Sequence, residues 1–290
     1  IYNYHNNIQR NLEIMKPNQT LNDIAQIVFE RLPNVLKQFS PEVVIVQGDT
    51  TTAAMSAVCA FQQKIPVAHI EAGLRTFNLD APFPEEANRK IISSIASFHF
   101  PPTQSAHVNL LNEGISKEKI FLTGNTSVDA LKYIQHSFAL DNIVDIDERI
   151  RSPFVLITAH RRESFGEGFQ NICTAIKICA ERFPHFQFIY PVHLNPNVRT
   201  PVMNLLGNIS NVFLIEPVSY LKLLTLLNRS EFVLTDSGGI QEEAPSFKKY
   251  CIVMREVTER VESLLAGIAE LVGTDSEKVV NAVMRQIVSP

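Results

Sequence analysis

Three short apolar runs in this sequence end close to residues that can transfer protons. Asp49, Glu71 and His160 each follow such a run within three residues. Carboxylates and imidazoles are the side chains that most often serve as general acids and bases. A carboxylate that leaves an apolar strand without a partner is costly to bury, so these positions are candidates for proton-transfer chemistry.

Each carboxylate with a possible role in this chemistry also has a structural alternative. Asp49 precedes three threonines and suits the N-cap of the next helix, and Glu71 has Arg75 as a structural partner. Glu85 belongs to a Pro-Glu-Glu helix start, where acidic side chains favour the positive end of the helix dipole. Because Glu85 and Arg89 lie four residues apart, they share one helix face and could present an acid and a cation together.

Two histidine segments are suited to an anionic ligand. His160 and Arg161 are followed by Arg162 and two nearby glycines, which makes a cationic and flexible loop after an apolar run. His160 titrates near neutrality and could move protons or bind a phosphate. A further histidine, His193, follows the next apolar run.

The strongest local pattern is an apolar run that leads into Ser237, Gly238 and Gly239 at a helix start. Unhindered backbone N–H groups and the helix dipole make such a turn suitable for a pyrophosphate. Glu243, about one turn later, can accept hydrogen bonds from a ribose diol. A plain glycine turn is the alternative. Neither a Walker motif nor a GxGxxG motif occurs, which excludes the usual nucleotide fingerprints.

The elements that must position these groups alternate between short β-branched runs and amphipathic helical stretches. Continuous hydrophobicity indicates strands covered on both faces, as in parallel sheets flanked by helices. The predicted strands are residues 43–46, 67–70, 120–123, 154–158, 186–190, 212–215, 232–235 and 251–254. The predicted helices include residues 21–39, 53–62, 85–96, 128–134, 171–182 and 221–228. This alternation predicts an α/β fold, in which ligands bind beyond the carboxyl ends of the strands.

Length and a change in composition predict two domains. The 290 residues suit two units of ordinary size. The acidic, weakly periodic segment 138–152 is the best candidate linker. We expect residues 1–145 and 146–290 to form two doubly wound, Rossmann-like domains with parallel sheets, the second of which binds the nucleotide.

Composition and charge exclude some classes of function. With a net charge of −4 and no basic stripe, the chain does not resemble a nucleic-acid-binding protein, and no apolar run approaches the ~18 residues of a membrane span. The cysteines Cys59, Cys173, Cys179 and Cys251 lie far apart within apolar runs, without zinc-site spacing. We therefore expect buried, reduced thiols in a cytoplasmic protein.

Eight segments together carry a resemblance to a known family. They are GDTTTA (48–53), HIEAGLRT (69–76), FPEEANR (83–89), TGNTSVDAL (123–131), TAHRRE (158–163), YPVHLNP (190–196), DSGGIQEEAP (236–245) and TER (258–260). In this order they resemble the bacterial non-hydrolysing UDP-N-acetylglucosamine 2-epimerases, from about residue 15 to the end of the chain. The resemblance implies the GT-B architecture, which has two Rossmann-like domains and binds substrate between them.

The resemblance also implies the reaction, a reversible conversion of UDP-GlcNAc to UDP-ManNAc by inversion at C2. UDP is eliminated to give 2-acetamidoglucal and is then added back. One base must remove the C2 proton and another acid must return it, while cationic or N–H groups hold the departing UDP. By motif match, Asp49, Glu71 and Glu85 are the acid–base candidates, and His160 contacts the UDP and sugar region.

The same match assigns the bound nucleotide and the partners. In some family members a second UDP-GlcNAc binds as an allosteric activator, and Arg161 and His193 match positions of that site. The expected partners are UDP-GlcNAc or UDP-ManNAc and a second copy of the chain in a homodimer, with no metal or redox cofactor, no nucleic acid and no membrane. The residues expected at the nucleotide are Ser237, Gly238 and Gly239 at the phosphates, Glu243 at the ribose and Arg260 at the phosphate or sugar.

Some positions depart from the family pattern. Val218 stands where a polar residue often lies near the uracil, and Lys248, Tyr250 and Val261 replace the usual glycine, proline and proline. These replacements affect the expected uracil contacts and the geometry around Arg260. The family's first strand with its GTRPEA loop and its C-terminal Asn-Pro-Tyr-Gly segment with a helix have no counterpart here. We therefore expect an incomplete enzyme that turns over little.

Three other functions stay open at this point. A hydrolysing epimerase would release free ManNAc and UDP, although the HRRE and EEANR segments favour the non-hydrolysing branch. A GT-B glycosyltransferase would need an acceptor and would form no UDP-ManNAc. An inactive protein or fragment that binds a UDP-sugar would keep its affinity for UDP without turnover.

Overall fold

The computed structural model describes residues 10–137, 146–151 and 153–288. The chain divides into two compact units, the first ending at Thr126 and the second beginning at Ser127. Each unit is built around its own parallel β-sheet.

The described part of the first unit is a parallel sheet with helical connections. Its strands β1 (Val44–Gln47), β2 (Val67–Ile70) and β3 (Phe98–Phe100) lie in that order. Its helices are α1 (Leu21–Phe39), α2 (Thr51–Gln62), α3 (Glu85–Ile95) and α4 (Gln104–Asn112), with a short 3-10 helix at Lys117–Lys119. Because the strands are parallel, the residues that follow them meet at one edge of the sheet.

Helix α2 forms the centre of the core of the first unit. Ala54, Ala57 and Ala60 follow one another at helical spacing and are fully buried. They share an apolar cluster with Val28 of α1 and Val46 of β1. Small side chains on this face let α1 and the sheet approach α2 closely.

The second unit contains a larger sheet. Its strands β4 (Phe154–Thr158), β5 (Gln187–Pro191), β6 (Val212–Ile215), β7 (Phe232–Thr235), β8 (Tyr250–Val253) and β9 (Ala269–Leu271) lie in the order β6-β5-β4-β7-β8-β9. Its helices are α5 (Thr126–Ser137), α6 (Glu167–Arg182), α7 (Pro196–Leu206), α8 (Tyr220–Arg229), α9 (Gly238–Glu243), α10 (Val261–Leu265) and α11 (Ser276–Val288), with 3-10 helices at Arg162–Ser164 and Ala244–Phe247.

The strand order of this sheet reverses at β4. The chain proceeds from β4 to β5 and β6 on one side and returns to β7 on the other. Such a reversal leaves a crevice outside the carboxyl ends of the two central strands. Apolar clusters cover both faces of the sheet, one containing Val155 and Phe188 and the other Leu156 and Ile189. Burial on both faces is the reason why the strands read as continuous apolar runs.

Most of the predicted strands and all of the predicted helices are confirmed, with shifts at their ends. The prediction of a strand at residues 120–123 is wrong, because this segment forms only an isolated bridge between His99 and Ile120. Phe121 and Leu122 are exposed, so the run is apolar without being part of a sheet core. The sequence patterns miss the three-residue strands β3 and β9 and the helices α4, α7, α10 and α11.

The division between the units falls earlier than the expected boundary at residues 145 and 146. Helix α5 precedes that boundary, but its residues Leu131 and Ile134 are buried in one cluster with Leu156 of β4 and Val233 of β7. Helix α5 therefore belongs to the second unit. Of the predicted linker 138–152, residues 138–145 and 152 lie outside the described residues.

The fold class is the predicted one, α/β with two Rossmann-like units on parallel sheets, as in GT-B proteins. All four cysteines are buried and free. Burial raises the pKa of the Cys173 thiol to about 12, which disfavours the reactive thiolate. In the described parts of the chain, we find no helix with the length and apolar character needed to cross a bilayer.

Two buried histidines on adjacent strands should make the first unit sensitive to acid. His69 on β2 and His99 on β3 are fully buried, and burial lowers the pKa of each from 6.5 to about 4. The unfolded chain therefore binds protons at a higher pH than the folded chain. Stability should be fully present above the unfolded pKa of 6.5 and decrease as the pH falls towards about 4.

Urea unfolding of the wild type and of His99→Phe, between about pH 7.5 and about pH 4.5, measures this effect. Two such groups should give a slope of about 3 kcal/mol per pH unit in the steepest part, and the variant should retain about half of it. Equal slopes in the two proteins would contradict the role of His99.

Candidate functional site

The reversal of the second sheet brings together two loops that the sequence patterns single out. The loop 159–164 follows β4, and the loop 236–237 connects β7 to α9. Strands β4 and β7 are direct neighbours, with Thr158 paired to Thr235. The two threonine hydroxyls are hydrogen-bonded at 2.7 Å, so both loops start from adjacent points on one edge of the sheet.

Asp236 joins the two loops. Its side chain is completely buried, and its Oδ2 accepts hydrogen bonds from the backbone N–H groups of His160 and Arg161, both at 2.7 Å. The Asp236 amide donates to the Thr158 carbonyl at 3.0 Å, which continues the strand ladder. This carboxylate therefore defines the path of the loop that carries His160.

His160 and His193 lie together at this edge. Their rings are stacked, with centroids 5.6 Å apart and planes inclined by 16°. Nδ1 of His160 lies 3.5 Å from Oδ1 of Asp236. Burial lowers the pKa of His160, and the negative charge of Asp236 opposes that shift. Burial also raises the pKa of Asp236. Arg161, the other residue expected in an allosteric site, is half-buried beside His160.

The glycine turn predicted to bind phosphate lies at the start of α9. Ser237 is the N-cap residue of this helix, and its amide donates to the Thr235 hydroxyl at 2.9 Å. A Cβ atom on Gly238 would lie 2.8 Å from Cζ of Arg260, so only glycine allows this guanidinium to approach so closely. With Gly239 following, backbone N–H groups and a cation meet at the helix start, which suits an anion.

A cavity of about 310 Å³ lies beside these loops. It is lined by both histidines, Ser237 and Gly239 together with apolar residues such as Val218. Glu243 also lines it, and its Oε1 accepts a hydrogen bond from the Tyr220 hydroxyl at 2.7 Å. Burial raises the pKa of Glu243, and this hydrogen bond opposes the shift. A mostly apolar cavity with a few converging polar groups is typical of small-molecule sites.

A chain of ion pairs supports Arg260 and the loop after β4. Arg255, whose side chain is fully buried, donates to Glu163 at 2.6 Å and to Glu259 at 3.3 Å. Glu259 also contacts Arg260, whose Nε donates to Glu242 at 3.0 Å. The ion-pair chain thus links the TAHRRE segment to the TER segment and to α9.

One of the residues that depart from the family pattern lies at this cavity. Val218 lines the cavity. Lys248 has a left-handed backbone conformation with a φ of 56°, which glycine adopts more easily. Val261 is the first residue of α10, a position that favours proline. At both of these positions the backbone suits the family's usual residue.

In the first unit, helix α3 holds Asp49. Thr50 is the N-cap of α2, because its hydroxyl accepts from the Ala53 amide at 3.1 Å. The alternative that Asp49 caps this helix is therefore wrong. The Asp49 carboxylate accepts from the buried guanidinium of Arg89, and the Asp49 carbonyl accepts from the Asn88 side chain at 2.8 Å.

Glu71 lies in a left-handed turn directly after β2, with a φ of 66°. Its Oε2 lies 3.7 Å from the position of a Cβ on Gly48, so the side chain extends towards the turn that precedes Asp49. His69 connects the two turns, because its Nε2 lies 2.8 Å from the Gly48 carbonyl oxygen. Positive φ values in non-glycine residues are strained and concentrate at functional sites.

The adjacent residues Glu85 and Glu86 have different surroundings. Glu86 is fully buried and accepts from the amides of Thr76 and Phe77 at 3.1 and 3.0 Å and from Arg89 at 3.2 Å. Glu86 is therefore a structural residue. Glu85 is half-buried at the first position of α3, which leaves it as the carboxylate of this pair suited to chemistry.

Arg75, the structural partner considered for Glu71, has a role in the framework of the first unit. Its buried guanidinium donates two hydrogen bonds to Glu113, at 2.8 and 2.7 Å, and one to the Ser93 hydroxyl at 2.8 Å. The hydrogen bonds from Arg75 lower the pKa of Glu113. These contacts join the turn after β2 to α3 and to the end of α4.

In the second unit, His160, His193, Glu243 and the turn 237–239 lie around one cavity. In the first unit, Asp49 and Glu71 lie in neighbouring turns, and Glu85 lies at the start of α3.

Three residues that hold the loops and side chains around the cavity of the second unit were not predicted. They are Asp236, Tyr220 and Arg255. Asp236 and Arg255 follow apolar strands, which is the same signal that singled out Glu71, whereas Tyr220 has no local signal. Among the described residues, no group of three or more histidine, cysteine, aspartate and glutamate side chains could hold a metal ion.

Replacing the central cation of the ion-pair chain should be costly. Arg255→Met leaves the buried Glu259 without one of its cations and should destabilise the protein by about 3–5 kcal/mol. The control is Arg285→Met, which breaks a pair with Glu270 in which the arginine side chain is 58% exposed, and it should cost less than about 1 kcal/mol. Urea unfolding compares the two, and equal costs would contradict the structural importance of Arg255.

The chain is similar in sequence to known enzymes. A family model described as UDP-N-acetylglucosamine 2-epimerase matches residues 2–289. The UDP-N-acetylglucosamine 2-epimerase of Campylobacter jejuni is 50% identical over 279 residues, which cover 93% of this chain and 73% of that protein. The enzyme of the same name from Salmonella typhimurium is 48% identical, with 94% and 75% covered.

Solved structures agree with the sequence relatives. The UDP-GlcNAc 2-epimerase from Neisseria meningitidis bound to UDP-GlcNAc matches with a TM-score of 0.87 and 45% identity, covering 96% of this chain and 76% of that chain. The enzyme from Methanocaldococcus jannaschii in complex with UDP-GlcNAc and UDP matches with a TM-score of 0.85 and 35% identity, covering 97% and 78%. The chain belongs to the UDP-N-acetylglucosamine 2-epimerase family.

Proposed function

We propose that this chain interconverts UDP-GlcNAc and UDP-ManNAc by inverting C2 of the sugar. The observation that carries the proposal is the cavity beside the β4 and β7 loops, where His160, Glu243 and the turn 237–239 can bind a nucleoside diphosphate sugar. Membership of the family and the relatives solved with UDP-GlcNAc or UDP support it.

The proposed mechanism is elimination and re-addition of UDP without hydrolysis. The C2 proton is poorly acidic, because C2 is bonded to the nitrogen of the acetamido group and to no carbonyl carbon that could stabilise a carbanion. A base removes this proton, the electron pair forms the C1–C2 double bond, and the C1–O bond breaks with UDP as the leaving group. UDP then adds back to C1 of 2-acetamidoglucal while C2 is protonated on the opposite face. The reaction is balanced without a redox group or water.

We assign the proton transfers to the carboxylates of the first unit. Two groups are needed, because removal and return of the proton occur on opposite faces of C2. Asp49 is held by Arg89, and Glu71 lies in a strained turn. Glu85 is the third candidate, since its neighbour Glu86 is used by backbone N–H groups.

We assign the leaving group to the second unit. The N–H groups of the turn 237–239, the Arg260 side chain and, once its ring is doubly protonated, His160 would stabilise the charge that develops on the departing diphosphate. Glu243 would accept hydrogen bonds from the ribose hydroxyls, with one of its oxygens held by Tyr220. The apolar part of the cavity, including Val218, would contact the uracil.

Three further parts of the proposal follow from the family resemblance. The first unit supplies the catalytic carboxylates and the second binds UDP. Arg161 and His193 contact a second UDP-GlcNAc that activates the enzyme. Two copies of the chain form a homodimer, which sedimentation of the purified protein tests directly.

Turnover of UDP-GlcNAc in deuterium oxide tests the reaction. UDP-ManNAc with deuterium at C2 is expected, because the removed proton exchanges with solvent. Free ManNAc in an amount equal to UDP would identify a hydrolysing epimerase, and a requirement for an acceptor would identify a glycosyltransferase. Binding of UDP without any product would identify an inactive binding protein. Each of these three results would overturn the proposal.

Removing the charge of one candidate carboxylate should stop chemistry without loss of nucleotide binding. Asp49→Asn and Glu71→Gln should each lower kcat by about 10²–10⁴-fold, with little change in the Kd of UDP. The matched control is Asp80→Asn, an exposed carboxylate of the same unit, which should leave kcat unchanged. Near-normal rates in both site variants would rule out the assignment.

The hydrogen bond from Tyr220 to Glu243 should extend UDP binding to lower pH, because it opposes the rise in the pKa of Glu243 that burial causes. A neutral Glu243 accepts hydrogen bonds poorly, so affinity should fall as the pH decreases through its pKa. Tyr220→Phe removes a contact that opposes the raised pKa of Glu243, so the loss should begin at a higher pH than in the wild type. Calorimetry measures the Kd of UDP for both proteins from about pH 5 to about pH 8. The titration of UDP itself affects both proteins equally, so a difference between their pH profiles comes from the protein. Tyr133→Phe, at an exposed tyrosine, is the control, and identical pH profiles for Tyr220→Phe and the wild type would contradict the role of Glu243.

A further inference from the structure

One oxygen of a fully buried carboxylate has no hydrogen-bond partner among the described residues. This oxygen is Oδ1 of Asp236. The other oxygen, Oδ2, accepts two backbone N–H groups at 2.7 Å, so the carboxylate cannot rotate without breaking them. Its Oδ1 is thereby directed at Nδ1 of His160, 3.5 Å away. An unsatisfied buried carboxylate oxygen is costly, and Nδ1 of His160 is close enough to become its donor after a small movement.

We propose that Asp236 is a positioning residue that sets the tautomer of His160, keeping a proton on Nδ1 and leaving Nε2 as the nitrogen available to substrate. The proposal deepens the epimerase function given above and rests on it only for its effect on turnover.

The chemistry of the contact determines which nitrogen carries the proton. A carboxylate oxygen only accepts hydrogen bonds, so its attraction to Nδ1 requires a proton on Nδ1. A neutral imidazole carries one proton, so Nε2 then has a free lone pair. When the ring becomes doubly protonated, the same carboxylate stabilises its positive charge. A separation of 3.5 Å is long for a hydrogen bond, but such contacts commonly tighten when substrate binds.

His193 has the opposite tautomer. The backbone N–H of Asn195 donates to Nδ1 of His193 at 3.1 Å, which requires a lone pair on Nδ1 and places the proton of the neutral ring on Nε2. The two stacked rings therefore differ: His160 presents an acceptor and His193 presents a donor. This difference gives the pair complementary roles beside the same cavity, one ring able to take up a proton and the other able to donate to an anion.

A purely structural role for Asp236 is the competing explanation. Its two backbone contacts could be its entire contribution, with the His160 ring nearby by coincidence. If Asp236 sets the tautomer, His160 carries its proton on Nδ1, and the effect of Asp236 on turnover requires the His160 ring. If Asp236 is only structural, neither of these results is required.

The tautomer is measured on the unmodified chain. Nitrogen-15 NMR of histidine-labelled protein near pH 7.5, assigned with His160→Gln and His193→Gln, is expected to show His160 protonated at Nδ1 and His193 protonated at Nε2. Asp236→Asn presents an amide N–H₂ to Nδ1 and should move the His160 proton to Nε2. It should also lower the pKa of His160, because Arg161, His193 and burial then act without the opposing carboxylate. A wild-type His160 protonated at Nε2 would overturn the proposal.

A double-mutant cycle measures the effect on turnover. Asn retains a carbonyl oxygen for the two backbone N–H groups, so Asp236→Asn should lower kcat by about 10²–10⁴-fold with little change in KM. In the His160→Gln background the same substitution should cost nothing further. An equal loss in both backgrounds would show that Asp236 is only a structural residue.

The two measurements separate the possible failures. If Asp236→Asn does not fold, the wild-type tautomer still decides the proposal. If the chain produces no UDP-ManNAc, the proposed function fails, and the tautomer of His160 is still determined by NMR.

Discussion

The pairing of β4 with β7 is the contact on which the second unit depends. The two strands are adjacent although Thr158 and Thr235 are 77 positions apart in the sequence. Because the strand order reverses at β4, chain segments leave this edge in opposite directions and cannot fill the space between them. The cavity, the stacked histidines and the glycine turn at α9 all lie at this edge as a result. Asp236 extends the pairing beyond the last strand residues by one hydrogen bond and then uses its side chain to hold the neighbouring loop.

Buried charges in this protein stabilise loops, and apolar clusters stabilise the strands beneath them. Asp236 and Glu86 each accept two backbone N–H groups from a loop next to candidate site residues. Arg75 and Arg255 each hold carboxylates from other elements. Burying a charge is expensive unless hydrogen bonds replace the lost water, and these contacts provide that replacement. These hydrogen bonds therefore give the loops a defined geometry.

The sequence predicts those features that depend on local pattern. Strands β2, β4, β6 and β7 begin and end as predicted, because continuous apolar runs mark strands buried on both faces. Strand β3 contains a buried histidine and forms through its pairing with β2, which no local pattern reveals. The same limit applies to the sites. Residue type and position after a strand single out Asp49 and Glu71. Only the loop that folds over α3 shows that Glu86 is structural and that Glu85 is not occupied in the same way. Only the β4–β7 pairing places Asp236 beside the loop that it holds.

The ion-pair chain that contains Arg260 has a consequence for nucleotide release. Its three carboxylates and two guanidiniums carry a net charge of −1, so Arg260 is neutralised before any ligand arrives. A diphosphate can pair with Arg260 only by competing with Glu242 and Glu259. Binding would therefore replace a carboxylate partner of Arg260 with a phosphate. The net affinity is therefore lower than a free guanidinium would give. In the proposed reaction, UDP is kept through an intermediate and is then released within the product. There, such an exchange would let carboxylates that do not contact the ligand limit how long it stays bound.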